Sequence, residues 1–577
     1  MDGSGTSRSE DVMSTAAMPV YEWKDLPWKY IEHQVFKLQK RIYQASGRGD
    51  GKAVHKLQRL LISSWAARCL AVRKITQDNR GKRTAGVDGV RALNPAQRLQ
   101  LVHTLRLRQR AKPRRRVWID KRGTSEKRPL GIPTIQDRAE QALAKLALEP
   151  EWEAKFEPNS YGFRPGRSCH DAIEAIFGSI KQCAKYALDA DIAKCFDRIN
   201  HEALLQKLHT FPKLRRAIRM WLQAGVLDGG TLFPTTEGTP QGGTLSPLLA
   251  NIALHGLETA IVTAFPPRQP PNVVRFADDF VVLHPDQAVI ERVQDITATW
   301  LAGMGLELKP SKTRVTHTLH HHNGHVGFEF LGFAIRQYPV GKTHTGKTGQ
   351  GRPLGFKTII KPSNDALARF SEKVATIIHN HRALPQYVLI EHLNPVIRGW
   401  TNYYRTVASK RTFAKAGHYL YLKLRRWAKR RHQKKPWKWV VTKYWRLEKG
   451  KWDFGTPEGF SLYLPSKTRI QRHTKVKASR SPFDGDWVYW ASRLGRHPDV
   501  PNWIATTLKR QHGRCAWCGL YLTMEDLREL DHRMPTIKGG PRKQTNWQII
   551  HGHCHDSKTA QDGSLLGRGA LDKRQPD

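Results

Sequence analysis

Residues 24–75 set apolar side chains at helical spacing against basic ones, as in "VHKLQRLLISSWAARCLAVRKI". That period predicts one or two amphipathic helices with a cationic outer face. A Gly-rich loop follows at 79–90, then a basic extended segment interrupted by turns, "LRLRQRAKPRRRVWIDKRGTSEKRPLGIP" (105–133), and a further helix over 134–150. "CAKYALDADIAKCFDRINHEALL" (183–205) passes from strand through turn to helix, and "FPTTEGTPQGGTLSPLLANIALHGLE" (233–258) is a glycine turn feeding a helix. "VVRFADDFVVLH" (273–284) places two short apolar runs around Asp278 and Asp279, the pattern of a β-hairpin with the acidic pair at its bend. A helix and two strands, at 305–315 and 328–335, complete this region. Beyond residue 355 the pattern changes to basic, aromatic helices, clearest in "YLYLKLRRWAKRRHQKKPWKWVVTKYW" (419–445).

A chain of 577 residues exceeds one hydrophobic core, so three or four domains are expected. The 96 Lys and Arg against 50 Asp and Glu leave a formal charge of +46, which opposes compaction unless a polyanion gathers on it. Nucleic acid is the indicated partner. A membrane is not, because no run of 18 apolar residues and no lipidation motif is present. Of seven cysteines four are scattered, while Cys515, Cys518 and Cys554 lie together; a reducing, cytoplasmic setting with the last group reserved for metal is expected. Residues 1–20 lack an apolar core and read as a disordered leader, and 561–577 as a disordered tail.

Two adjacent carboxylates between apolar runs repel one another and lose hydration, so something positive should meet them. Phosphoryl transfer with two Mg²⁺ ions about 3.5–4 Å apart is one answer. It needs a third oxygen ligand from another strand. Asp191, in "LDADIAKCFD", ends an apolar strand, and Ile192 beside it could lend a carbonyl. Asp189 faces the same way by alternation, and Asp197 lies on the following helix, so both compete for the role. A plain Asp-Asp turn is the bland alternative.

The ordered blocks "RPLGIPTIQDRAEQAL" (128–143), "NSYGFRPGRSCHDAI" (159–173), "DADIAKCFDRINH" (189–201), "GTPQGGTLSPLLANI" (238–252), "FADDF" (276–280), "GLELKPSKT" (305–313) and "FEFLGF" (328–333) resemble the reverse transcriptase/maturase proteins encoded by bacterial group II introns, of the type that also carries an HNH endonuclease. The resemblance covers about 80–335, with Phe276 where the family usually has Tyr. It implies a right-hand polymerase with fingers and palm over 21–355 and a helical maturase or thumb domain over 356–465. A DNA-binding region over 466–511 and an HNH unit over 512–560 complete this α+β multidomain chain. It assigns Asp191, Asp278 and Asp279 as metal-site carboxylates, Phe196 as the wall against the sugar 2′-carbon of a dNTP, and Gln241 as a contact to the incoming base and sugar. Gly242 and Gly243 would let the backbone approach the duplex, while Lys312 and Arg128 are phosphate contacts by charge. In the maturase region Arg425, Arg426, Arg430 and Arg431, interleaved with rings such as Trp427, are expected to bind the parent intron RNA; Asn402, Tyr403 and Tyr404 fall in the "RGW-N-Y" element. The competing expectations are that wide basic, aromatic faces simply form a helical core, or that the enzyme serves another bacterial retroelement, or that its polymerase is vestigial and only splicing help remains.

Near the C-terminus, Cys515-x2-Cys518 and His551-x2-Cys554 have the spacing of a tetrahedral Zn²⁺ site. A metal would also explain how so short a module folds. Asp531 and His555 can ligate one Mg²⁺, His532 can deprotonate water, and Asn546 can orient its ring. This order resembles HNH endonucleases, with His551 where the family usually supplies a third Cys, and His553 as a rival ligand. The resemblance implies a nick in target double-stranded DNA that supplies the 3′-OH for copying the intron. "HTLHHHNGH" (317–325) is expected to be an exposed loop bent at Asn323-Gly324.

Overall fold

The computed structural model describes residues 22–562 except 109, 121–125, 342, 449–450, 478–479, 495–496, 499, 501, 521 and 523–527. The expected leader, and the expected tail beyond residue 562, lie outside these residues; Gln561 and Asp562 instead close the last helix.

The N-terminal amphipathic segment forms three helices, Trp28–Gly47, Gly51–Ser63 and Trp65–Arg73, where one or two were expected. The extra breaks are local. Gly49 turns at φ 74° and Asp50 caps the second helix by accepting from the Ala53 N–H, while extended Ser64 separates the second from the third. Ile31, Ile42, Leu61, Val72 and Leu143 form their shared core against helix Ile135–Lys155. The basic extended segment becomes an antiparallel hairpin, Arg114–Asp120 with Lys127–Ile132, joined to strands Val226–Asp228 and Thr231–Phe233.

The central sheet is fully antiparallel, in the order Asn272–Phe276, Asp279–His284, Tyr186–Asp191, Arg314–His317. Strand alternation divides its residues between two cores. Leu188, Ala190, Phe280 and Val282 pack against the helices beneath, while Ala187, Val274, Val281 and Leu283 face a second apolar cluster. The expected single strand over 328–335 is a hairpin, Phe328–Phe330 with Phe333–Pro339, because Leu331 and Gly332 turn with φ 51° and 81°. A Cβ on Gly332 would lie 2.8 Å from the Tyr404 hydroxyl, so the bend admits the next domain only as glycine. As expected, Asn323 and Gly324 also bend with positive φ, and His322 pairs with His325 across them.

Helices Asn364–Asn380, Gln386–Tyr404, Lys410–Arg431 and Trp437–Tyr444 share a core of Phe370, Leu389, Leu393, Leu424 and Trp427. The segment after it does not behave as one unit. Residues 473–476 dock on helix Cys169–Ile180, where buried Asp171 accepts from the Val476 N–H at 2.7 Å and pairs with His473 and Arg493. Helix Trp487–Leu494 faces two ways: Arg493 and fully buried Trp490 belong to this dock, while Trp487 and Ala491, with helix Asn502–Arg510, share a core with Ile549, Ile550, Cys515 and Cys554. The nuclease-like module therefore draws on residues before 512. It consists of strands Arg528–His532 and Trp547–His551 and helix Gly552–Asp562. Among the described residues, no helix is long and apolar enough to cross a membrane.

Candidate active sites

Adjacent strands place Asp191 directly opposite Asp279, and the same register sets Asp189 opposite Val281. Asp278 occupies the bend between the hairpin strands, next to Ala277 at φ 59°. All three of Asp191, Asp278 and Asp279 are half-buried and line one cavity of about 1230 Å³, together with Ile192, Phe196, Gln241, Gly242, Arg128 and Lys312. Of the competitors, Asp189 shares the face but does not line this cavity; it pairs with Arg314 at 3.3 Å. Asp197 lines the cavity, and its carboxylate accepts from the Gln241 amide at 3.1 and 3.2 Å.

The Ile192 carbonyl is placed by a bridge to Leu308. Ala193 N–H donates to the Glu307 carbonyl and Lys309 N–H donates to the Asp191 carbonyl. The bridge thus uses the carbonyls of Glu307 and Asp191 and leaves that of Ile192 outside it. Burial pushes Asp279 up to about 7, with the charges of Asp278 and Asp191 adding to the effect. Asp278 is raised chiefly by burial as well, and then by Asp191. Lys312 answers this repulsion from the rim: its Nζ lies 2.7 Å from Asp191 Oδ2, and that hydrogen bond raises its own pKa. The cluster therefore recruits positive charge wherever it can. Its all-oxygen donor set suits a hard divalent ion.

Three further residues hold the bend, and the sequence patterns did not single them out. Arg275 is buried and donates to the Ala277 carbonyl and to Asn251 Oδ1, both at 3.2 Å. Asn251 in turn donates to the Gly162 carbonyl at 2.8 Å. Gly162 lies so close that an added Cβ would stand 2.3 Å from the Ala277 nitrogen. The only available signal was a charged residue inside an apolar strand, "VVRF". The loop holding Gln241 and Gly242 is likewise tied to the neighbouring sheet, since Gly131 N–H donates to the Gln241 carbonyl at 2.8 Å. Gly242 adopts φ 111°, a conformation that disfavours a side chain.

In the maturase-like helices the basic residues divide. Arg425, Arg426 and Arg430 are all exposed, and Arg425 also lies over the Trp437 ring at 5.0 Å. Arg431 is also engaged within the fold: it donates to the Arg382 and Leu384 carbonyls at 2.7 and 2.9 Å and lies over Trp427. Trp427 is itself a core residue, its Nε1 donating to the His381 carbonyl, and so offers no ring to bases. Asn402 is exposed, but Tyr403 and Tyr404 join this domain to the hairpin Phe328–Phe330 with Phe333–Pro339; the Tyr403 hydroxyl donates to the Leu331 carbonyl and its ring stacks on Phe333. The helical period was real; which face was core depended on these distant neighbours.

Cys515, Cys518, His551 and Cys554 bring one ligand atom each to within 4.8 Å of the others, the fourfold soft donor set that suits Zn²⁺. The His553 side chain lies outside the described residues. Asp531 and His555 also converge, with His555 Nε2 3.7 Å from Asp531 Oδ1. Glu529, two residues before Asp531 and on the same strand face, accepts from His555 Nδ1 at 2.5 Å and orients its ring. Asp531 further accepts from Gln548 at 2.7 Å and pairs with buried Lys558 at 3.1 Å. The expectation that Asn546 orients the His532 ring is corrected. Its amide both accepts from the Met534 N–H and donates to the Met534 carbonyl, at 2.9 Å each, and donates to Pro541. It pins the loop after His532, because the backbone of that loop closes over it.

Four family models match the chain in sequence order. Residues 23–105 match the N-terminal domain of reverse transcriptase, and 119–335 match reverse transcriptase (RNA-dependent DNA polymerase). Residues 367–445 match the group II intron maturase-specific domain, and 515–561 match HNH endonuclease. Protein YkfC of Escherichia coli (strain K12) is 29% identical over 345 residues, 52% of this chain and 88% of that protein. Group II intron-encoded protein LtrA of Lactococcus lactis subsp. cremoris is 42% identical over 156 residues, which span 26% of this chain and 25% of LtrA. Maturase-like protein 1 of Euglena gracilis is 28% identical over 395 residues, 66% of this chain and 77% of that protein. With polymerase, maturase and nuclease modules matched in one order, the chain belongs to the group II intron-encoded reverse transcriptase/maturases that carry a C-terminal HNH nuclease domain.

Proposed function

We propose that this protein copies RNA into DNA at the Asp191–Asp278–Asp279 cluster and serves the mobility of a group II intron. The supporting observation is the register that pairs Asp191 with Asp279 and opens both, with Asp278, into a cavity of about 1230 Å³. In this reading the N-terminal helices and mixed sheet act as fingers, the central sheet as palm and the 364–444 helices as thumb. Asp191, Asp278, Asp279 and the Ile192 carbonyl would hold Mg²⁺, which when bound supplies charge neutralisation at the reacting phosphate. A primer 3′-OH attacks the α-phosphate of a dNTP, and pyrophosphate leaves. Arg128 and Lys312 line the cavity as cations for the triphosphate. Phe196 stands against the sugar, where a 2′-OH would collide with its ring. Gln241, fixed by Asp197, meets the incoming nucleotide from the other side. Replacing Asp278 and Asp279 by Ala is expected to abolish primer extension on RNA; normal cDNA synthesis by that variant would end this assignment.

The maturase-like helices would grip the parent intron RNA through phosphate contacts, assisting the folding of an RNA that performs its own splicing. The nuclease module would nick target double-stranded DNA, with Asp531 and His555 holding one Mg²⁺ and His532 taking a proton from water. The resulting 3′-OH would prime copying of the inserted intron. His532→Ala is expected to stop bottom-strand nicking and leave primer extension intact. Persistent nicking would remove His532 from that role.

A further inference from the structure

The "GFRP" turn holds an aromatic ring where local energetics oppose it. Phe163 adopts φ 58°, the left-handed region that an L-phenylalanine enters at a cost, and it is 48% exposed. Both neighbours impose that conformation. Gly162 is pressed against the Ala277 backbone and held by Asn251. Arg164 is buried, pairs with Glu153 at 2.8 Å and donates to the Glu157 and Ser160 carbonyls. With no freedom on either side, the chain presents the Phe163 ring to the cavity that Asp191, Asp278 and Phe196 also line. There it meets Phe196 edge to face, with ring centroids 6.1 Å apart and planes at 80°.

Phe196 needs such a support. It lies on a single-turn helix, Cys195–Arg198, that starts from Lys194 at φ 46°. Its own carbonyl is tied to the Thr239 N–H, but its ring is only half-buried. One turn of helix fixes a backbone better than it fixes a half-exposed side chain. A wall that must exclude a single hydroxyl has to stay in one rotamer, and an aromatic edge on its open side limits the others.

We propose that Phe163 is a positioning residue that fixes the Phe196 ring and thereby sets discrimination between deoxyribonucleotides and ribonucleotides. The inference rests on the reading of Phe196 as the sugar-facing wall. It also accounts for an exposed aromatic ring at residue 163, where the neighbours fix the backbone but do not require that side chain.

The test is single-nucleotide primer extension by the full-length protein, giving kcat/KM for a dNTP and the matching rNTP. Phe163→Ala is expected to raise relative rNTP use about three- to tenfold, the size of one lost aromatic pair. Phe163→Tyr keeps the ring, points its hydroxyl to the open cavity and should restore wild-type selection. Phe163→Gly should lose selection in the same way while melting above Phe163→Ala, because glycine adopts φ 58° freely and alanine does not. In the double variant Phe163→Ala/Phe196→Ala, selection should match Phe196→Ala alone. If Phe163→Ala slows both nucleotides equally while Phe196→Ala alters selection, Phe163 is structural only and the inference fails. If Phe196→Ala leaves selection unchanged, the wall reading itself falls.

Discussion

Lys312 reaches across to Asp191 at 2.7 Å, so the carboxylate cluster already contains one cation supplied by the chain. The ammonium shields Asp191 from Asp278 and Asp279, and it also competes with any ion for the same oxygen. Lys312→Met should therefore tighten divalent binding to the nucleic-acid-free protein, by about tenfold for loss of an adjacent charge. Titration with Mn²⁺ followed by electron paramagnetic resonance measures this. The same variant should raise the KM for dNTP, since one phosphate-facing cation is gone. Unchanged ion affinity would show that the Lys312–Asp191 pair is not in competition with metal.

Arg275 and Asn251 form the buried prop beneath the Asp278 bend. Asn251→Ala leaves the Arg275 guanidinium and the Gly162 carbonyl short of a partner, at a cost of about 1–3 kcal/mol. Denaturant unfolding should record that loss. Primer-extension kcat should fall further than KM changes, because the bend that carries Asp278 loosens. A variant with full kcat and reduced stability would make the prop purely structural.

Asp171 ties the 473–476 segment to helix Cys169–Ile180. Burial alone would raise its pKa, but hydrogen bonds from His473 and the Val476 N–H, with the Arg493 charge, outweigh burial and hold it well below the usual carboxylate range. A depressed folded-state pKa stabilises the docked form fully above the unfolded value of about 3.9 and progressively less as pH falls below it. Hydrogen exchange at the Val476 amide should accordingly accelerate below about pH 4, beyond the intrinsic trend. Asp171→Asn should exchange faster at neutral pH and lose that acid dependence; an unchanged acid dependence would reassign the tether.

Arg426 and Arg430 are exposed, while Arg431 caps backbone carbonyls and covers Trp427. Replacing both Arg426 and Arg430 by Ala should weaken intron RNA binding and shallow its log–log salt dependence by about 0.7–0.9 for each phosphate left unneutralised. Arg431→Ala should lower the melting temperature and affect RNA binding only through folding. Equal losses of RNA affinity and of extension on a generic template would argue against a separate RNA-binding face.

The Cys515, Cys518, His551 and Cys554 cluster shares its core with Ile549, Ile550 and helices Trp487–Leu494 and Asn502–Arg510. Zinc chelation should therefore expose protease sites from about residue 502 onward, while Arg493 and Trp490 keep helix Trp487–Leu494 docked, and leave primer extension on RNA intact. His551→Cys should retain the fold, since it restores a ligand of similar reach. Protease resistance after verified removal of zinc would mean the module stands on its apolar core.

The sequence carried the local part of this structure. Alternating apolar positions around Asp191 and Asp278, the two-residue Cys spacings and the Asn323-Gly324 bend were legible because each depends on neighbours within a turn or a strand. Alternation also put Asp189 and Asp191 on one face, and there it stopped. The family resemblance preferred Asp191; the tertiary structure adds the physical difference between the two, pairing Asp191 with Asp279 and giving Asp189 to Arg314. The same limit explains Arg431, Trp427 and Asn546, whose chemistry was visible but whose partners were not. A guanidinium, an indole or an amide can serve RNA, a reaction or a backbone carbonyl equally well. Which of these it meets is fixed when segments far apart in the chain close over it, and that choice belongs to long-range packing.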